Sequence, residues 1–222
     1  MFIGHFAVAF AAKKLSPRTS LGTLVLAAEW SDFIFPALIL AGLEHAGIKE
    51  GANAFLRLDL SDYPISHSLV AALGWALLLG GLVLWRSRDR RAALVVAAVV
   101  FSHWILDFVS HTPDVPLWPG GPLVGLGLWR SVTATVAVEG LMFAGALWLY
   151  FRSTRARDRV GQWGAVALAA FLAVIYAMNL TSPPPTNVQS FAAVGLSAWL
   201  LVVWAWWADR HREPITAQPP PS

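Results

Sequence analysis

Residues 91–111 read RAALVVAAVVFSHWILDFVSH, and this stretch decides the fold. Its first part is an unbroken apolar run, long enough with its neighbours to cross a bilayer, which takes about 20 residues. Its last ten residues hold His103, Asp107 and His111 at i, i+4 and i+8. On an α-helix these positions share one face, drifting about 40° per step. Ionisable groups are costly in hydrocarbon, and where they occur inside a membrane they usually mark a working site. Imidazoles and a carboxylate on adjacent turns are also what a borderline metal such as Zn²⁺ requires.

The rest of the chain agrees with a membrane setting. Of 222 residues 57% are hydrophobic and only 13% charged, about half the charge of an average soluble domain. Apolar runs predict spans at 20–43, 65–86, 91–111, 131–152, 161–180 and 188–208. A shorter helix at 2–14 precedes them, too short to cross alone. The expected fold is therefore all-α: a polytopic membrane helical bundle of about six transmembrane helices plus a short N-terminal half-helix. Residues 1–212 form one membrane-embedded domain, followed by a disordered tail at 213–222.

Lys13 and Lys14 follow the first apolar stretch instead of preceding it. That is the wrong order for a cleaved signal peptide, so the segment is kept in the mature protein. Thirteen of the sixteen Lys and Arg fall in one set of loops and span ends. By the positive-inside rule that set is cytoplasmic, as is the C-terminus, and the loops 44–64, 112–130 and 181–187 lie outside. The net charge of +3 is scattered over short loops and gives no nucleic-acid signal. The absence of cysteine excludes disulfides, thiolate ligands and Cys nucleophiles. The 44–64 loop is read as a candidate interfacial helix, and 112–122 as turn-rich. Trp118 and Trp129 fit an interfacial aromatic belt, and Trp199, Trp204, Trp206 and Trp207 fit packing and anchoring.

Other ionisable residues fall within or beside predicted spans: His5, Glu29, Asp32, His67 and Glu139. Measured along their helices, His103 and Glu139 each lie roughly 12 Å in from the outer end. The set converges on the outer half of the bilayer. Glu29 is read either as a structural hydrogen-bonding group or as an alternative to Asp32 in the ligand set. His45 and His211 are loop residues without a role. Ser66, Ser68 and Ser102 flank the histidines and are candidates for orienting them, as is Asp114 beyond His111. Ser66, Ser68, Ser102 and Ser110 are also nucleophile candidates for a Ser-His-Asp hydrolase. None sits in a Gly-x-Ser-x-Gly elbow, and that mechanism leaves most of the histidines unexplained.

Four segments carry a family resemblance: Met1-Phe2-Ile3-Gly4-His5, Glu29-Trp30-Ser31-Asp32, Tyr63-Pro64-Ile65-Ser66-His67-Ser68-Leu69, and Ser102-His103 through His111. In order and local spacing they resemble the YdjM-like family of bacterial inner-membrane metal-dependent hydrolases, over about the first two-thirds of the chain. The ligand order is also similar to that of soluble zinc-dependent phospholipases C. Carried over, the resemblance implies His5, Asp32, His67, His103, Asp107, His111 and Glu139 as metal ligands. It departs at Thr135, where the phospholipase pattern has a histidine, which favours one or two ions over three. Zn²⁺ is the expected ion, another divalent metal the alternative. Asp32 is expected to bridge metals or act as general base, and Asp107 and Glu139 to tie the histidine helices together. The implied activity is hydrolysis of a lipid or lipid-linked ester or phosphoester at the outer leaflet, with membrane lipid as partner. A metal or proton transporter, or a scaffold with a structural metal, are the other classes the residues allow.

Overall fold

The structure is a computed structural model and describes residues 1–49 and 53–215. It is a helical bundle with small two-stranded sheets at its ends. The helices are α1 (Ile3–Leu15), α2 (Leu21–Ala28), α3 (Trp30–Leu40), α4 (Pro64–His67), α5 (Leu69–Ser87), α6 (Arg90–Ser110), α7 (Val132–Ser153), α8 (Arg159–Thr181), α9 (Val188–Ser197) and α10 (Trp199–Arg210). Five helical stretches are long and apolar enough to cross a membrane: α5, α6, α7, α8 and the α9–α10 pair. The α2–α3 pair makes a sixth, bent by 56° at Glu29. This is a multi-pass membrane protein.

The predicted half-helix is α1, and its 13 residues rise about 20 Å. It is largely buried, packed against α2, α6 and α7. Phe6, Ala9, Phe10 and Ala12 on α1 meet Leu21, Leu24 and Val25 on α2 and Val96 and Val100 on α6 in the core. Gly22 lets α2 approach α10 closely, since a Cβ there would lie 2.5 Å from that of Trp206.

Three predicted elements differ. The 44–64 loop is a β-hairpin, not an interfacial helix: β1 (His45–Ile48) pairs antiparallel with β2 (Leu58–Asp62). Its exposed ends are tied by His45 to Asp62 and Lys49 to Asp59. The turn-rich stretch forms a second hairpin, β3 (Val115–Pro116) with β4 (Leu123–Val124), followed by a 3₁₀ turn at Leu128–Arg130. At the opposite end β5 (Thr154–Ala156) pairs with β6 (Arg212–Pro214). The chain is thus held in place beyond residue 212, correcting the expected start of the tail, while 216–222 lie outside the described residues.

One buried polar knot closes this opposite, arginine-rich end. Lys13 Nζ on α1 donates to Asp209 Oδ2 on α10 at 2.6 Å and to the Thr19 carbonyl at 2.9 Å. The same carboxylate accepts from the Leu21 amide and from Tyr150 Oη on α7. Removing one partner of a buried pair strands the other charge, whereas removing both does not. Asp209→Ala is expected to cost about 3–5 kcal/mol in thermal unfolding of the detergent-solubilised chain, and a Lys13→Met, Asp209→Leu double variant to recover most of it.

Candidate metal centre

Four histidines and two aspartates meet at the other end of the bundle. His103 and Asp107 come from the last turns of α6, and His111 caps it. His5 comes from the first turn of α1, and their rings bring α1 onto α6: His5 and His103 stack at 3.7 Å between centroids. His67 ends α4. The predicted helix from 65 is broken because Ser68 takes an extended backbone and caps α5, its hydroxyl accepting the Ala71 amide. That break turns His67 inward, buried with 5% exposure. Asp32 lies one turn past the bend between α2 and α3.

The bend has a local cause. Continuous helix would pair the Ala28 carbonyl with the Asp32 amide. Instead that carbonyl accepts a hydrogen bond from His103 Nδ1 at 2.6 Å. A side chain inserted into the backbone ladder is a recognised source of kinks. Pro36, inside α3, also withholds an amide from the next carbonyl acceptor site on Asp32.

The hydrogen bonds fix the imidazole tautomers. His103 Nδ1 faces a carbonyl, which only accepts, so Nδ1 carries the proton. His67 Nδ1 lies 2.6 Å from Ser66 Oγ, and that hydroxyl donates to Glu44 Oε2 at 2.6 Å. Ser66 Oγ therefore accepts from His67. His111 Nδ1 lies 2.9 Å from the Asp114 carboxylate, again an acceptor. All three rings thus turn Nε2, the nitrogen left free to bind a metal, inward. What those nitrogens face is carboxylate oxygen. His103 Nε2 is 3.1 Å from Asp107 Oδ2 and 3.9 Å from Asp32 Oδ2. His67 Nε2 is 3.2 Å from Asp32 Oδ1 and 3.9 Å from Asp107 Oδ2. His111 Nε2 is 3.6 Å from Asp107 Oδ1, and His5 Nε2 is 3.1 Å from the same oxygen.

A proton or a cation must lie between each such nitrogen and its carboxylate; the Met1 ammonium does so between His5 Nε2, 3.0 Å away, and Asp107 Oδ1. Two ligands of one tetrahedral zinc lie roughly 3.3 Å apart, given bonds of about 2.0–2.1 Å. The separations bracket that value. His103 Nε2 is buried without a hydrogen-bond partner, and nitrogen with oxygen donors suit zinc. The residues fit the ion. Five of the six fall into two overlapping groups whose donor atoms lie within 4.8 Å of one another, His5–His103–Asp107 and Asp32–His67–His103; His111, expected as a ligand, is in neither and approaches only Asp107. Asp107 stands between imidazoles on both sides, Oδ1 toward His5 and His111 and Oδ2 toward His67 and His103. Asp32 likewise divides its oxygens between two rings, Oδ1 toward His67 and Oδ2 toward His103. The amino nitrogen of Met1 also lies 2.7 Å from Asp107 Oδ1.

Glu139 is not brought into either group. Its Oε2 accepts the amides of Phe2 and Gly4, closing the N-terminus of α1. It positions His5 through the backbone, which corrects its expected place among the ligands. Glu29 is buried at the α2–α3 bend, also outside both groups. Thr135 turns its hydroxyl back to the carbonyls of Leu128 and Ser131. Ser102 and Ser110 likewise donate to carbonyls of their own helix. His45 and His211 pair with Asp62 and Asp158 at the surface, away from the centre.

Sequence reading missed two residues. Glu44, 1% exposed, accepts the amides of Ile65 and Ser66 as well as the Ser66 hydroxyl. Trp129, expected at the membrane interface, instead lies 4.0 Å from the His111 ring and lines a cavity of about 120 Å³ with Asp32, Tyr63, His67 and Asp107. Burial, and then the Asp114 carboxylate, holds the Tyr63 phenol well above its ordinary pKa. Its hydroxyl lies 3.4 Å from His111 Nδ1 and stays neutral at physiological pH.

No family model, curated protein or solved structure matches the chain.

Groups that hydrogen-bond to metal-bound imidazoles typically govern 10–100-fold in metal affinity. Glu44→Ala leaves the Ser66 hydroxyl without its acceptor and frees the tautomer of His67. It is expected to weaken zinc retention by about that factor in a chelator competition, while Ser102→Ala leaves retention unchanged.

Proposed function

We propose that the chain is a membrane-embedded, metal-dependent hydrolase of the YdjM-like type, holding one or two Zn²⁺ ions and acting on a lipid or lipid-linked ester or phosphoester. The observation that carries this reading is the set of inward Nε2 atoms opposed to Asp32 and Asp107 beside a cavity. The charge asymmetry of the loops supports a bacterial inner membrane with the centre toward the extracytoplasmic side.

Zinc in this position supplies Lewis acidity toward a phosphoryl or acyl oxygen and acidifies water near neutral pH. The chain supplies the rest. His5, His67, His103, His111 and Asp107 would hold the ion or ions, the rings of His103, His67 and His111 locked from outside by Ala28, Ser66 and Asp114. Asp32 has a different environment: its side chain is 42% exposed, against 3% for Asp107. It opens on the cavity, so it is the carboxylate placed to accept a proton from the attacking water and return it to the leaving oxygen. The cavity holds about four water-sized volumes. That admits a scissile ester group with its chains left outside, which suits a substrate already anchored in lipid. Trp129, Phe35 and Tyr63 wall the cavity and limit bulk water.

A transporter needs a polar route onward. Between His5 and Lys13, α1 buries Phe6, Ala9, Phe10 and Ala12 against apolar partners, so the two polar ends are separated by an apolar layer about 12 Å deep along that helix.

The purified chain is expected to retain zinc and to release phosphate- or fatty-acid-containing product from a phospholipid panel in mixed micelles. Chelation abolishes release and added zinc restores it. Asp32→Asn keeps the metal but lowers turnover by about 10²–10⁴-fold, and His103→Ala loses both. Metal-driven flux in sealed vesicles without any hydrolysis contradicts the proposal.

A further inference from the structure

A second site lies at the arginine-rich end, remote from the histidines. A groove of about 440 Å³ runs between α2, α5 and α6. Its walls are apolar, with Leu26, Leu79 and Leu82 among them, and they belong to membrane-crossing helices. Its mouth is lined by Arg18 and Arg86. Arg155 and Arg157, at the same end, are paired with Glu213. Among the described residues neither Arg18 nor Arg86 has a carboxylate within ion-pair distance. The one acid in the lining, Asp89, uses Oδ1 to accept the Ala92 amide at the start of α6. The hydroxyls of Ser20 and Thr23 pair with each other.

Two free guanidiniums over an apolar slot at the level where a span ends form an amphiphile's complement. An anion there is recognised by forked N–H donors, which match phosphate. The chain below it needs an apolar channel open sideways to hydrocarbon. A soluble phosphate uses only half of this surface, and a peptide helix would need a wider slot. We infer that this groove binds one anionic phospholipid, its phosphate on Arg18 and Arg86 and an acyl chain along α5. The site is independent of the metal centre, and its occupancy tethers α2 to the α5–α6 pair. Since α2 leads into the bend that carries Asp32, the lipid also steadies the backbone leading to the centre.

The test is native mass spectrometry of the full-length chain in detergent with an equal mixture of dioleoyl phosphatidylglycerol and dioleoyl phosphatidylcholine. Each basic residue near an anionic headgroup favours it several-fold. The wild type is therefore expected to carry one phosphatidylglycerol in preference to phosphatidylcholine by about tenfold. Arg18→Gln with Arg86→Gln brings the ratio near unity, and Arg155→Gln with Arg157→Gln does not. Millimolar inorganic phosphate leaves the lipid bound. No preference in the wild type, equal loss in both double variants, or displacement by inorganic phosphate overturns the assignment. Should the Arg18, Arg86 variant fail to fold, wild-type protein decides alone: a phosphatidylglycerol with a photoreactive headgroup labels the segments around Arg18 and Arg86, and labelling confined elsewhere overturns it.

Discussion

Imidazole nitrogens held against carboxylates are the constraint on which the histidine end of the bundle depends. Three of the four rings are anchored on their far side: His103 by the Ala28 carbonyl, His67 by Ser66, His111 by Asp114. None can rotate away from the aspartates without giving up a buried hydrogen bond, and orphaning such a group costs about 1–3 kcal/mol. Nitrogens and carboxylates 3.1–3.9 Å apart need protons or a cation between them. Protonating every ring is a poor remedy, because His5 and His103 stack face to face at 3.7 Å. One or two divalent ions, as proposed, would relieve the whole set at once. Helical irregularities elsewhere follow from this geometry. The α2–α3 bend exists where His103 takes a backbone carbonyl, and the α4–α5 break exists where His67 must turn inward.

The two ends of the bundle handle buried charge in different ways. At the arginine end, Lys13 and Asp209 neutralise each other at 2.6 Å, with backbone and Tyr150 completing the shell. Every group there has a partner within the chain, so the knot is self-sufficient and structural. At the histidine end carboxylates and imidazoles outnumber the one fixed cation, the Met1 amino group against Asp107. On the proposed reading that asymmetry separates a binding site from a clamp, though both are clusters of ionisable groups under hydrocarbon.

Much of the fold was legible because membrane spans announce themselves by length and apolarity. The boundaries of α6 and α7 fall within a residue of expectation at each end. His103, Asp107 and His111 were legible as a stripe because a helix makes i+4 a neighbour. The breaks were not. An apolar run from 20 to 43 carries no mark at Glu29, since the cause of its bend is a histidine seventy-five residues away. Glu44 was invisible for a similar reason: in sequence it is one acid in a polar loop, and only the fold drives it beneath the α4 turn. Glu139 misled in the opposite direction. Its depth matched that of His103, but a carboxylate at that depth can serve amides as well as metals, and the amides of Phe2 and Gly4 lie nearer.

The loop after α6 shows how the histidine end tolerates irregular backbone at all. Non-helical chain near hydrocarbon is stable only where protein or enclosed water satisfies its polar groups. Helix α6 ends with unpaired carbonyls, as any helix does. Leu126 donates its amide to the Phe108 carbonyl at 2.7 Å and Gly127 donates to that of His111 at 2.6 Å. The returning chain is therefore the C-terminal cap of α6. Close passage is possible because Gly125 lacks a side chain, whose Cβ would meet the carbonyls of Thr112 and His111, and because Gly127 adopts a φ of 78°. Two residues later that path delivers Trp129 onto the His111 ring. The stretch that reads as a plain turn-rich connector thus both closes the helix that bears His103 and Asp107 and places an aromatic wall on the cavity they face. Capping that helix and roofing the histidine cluster are the same structural act.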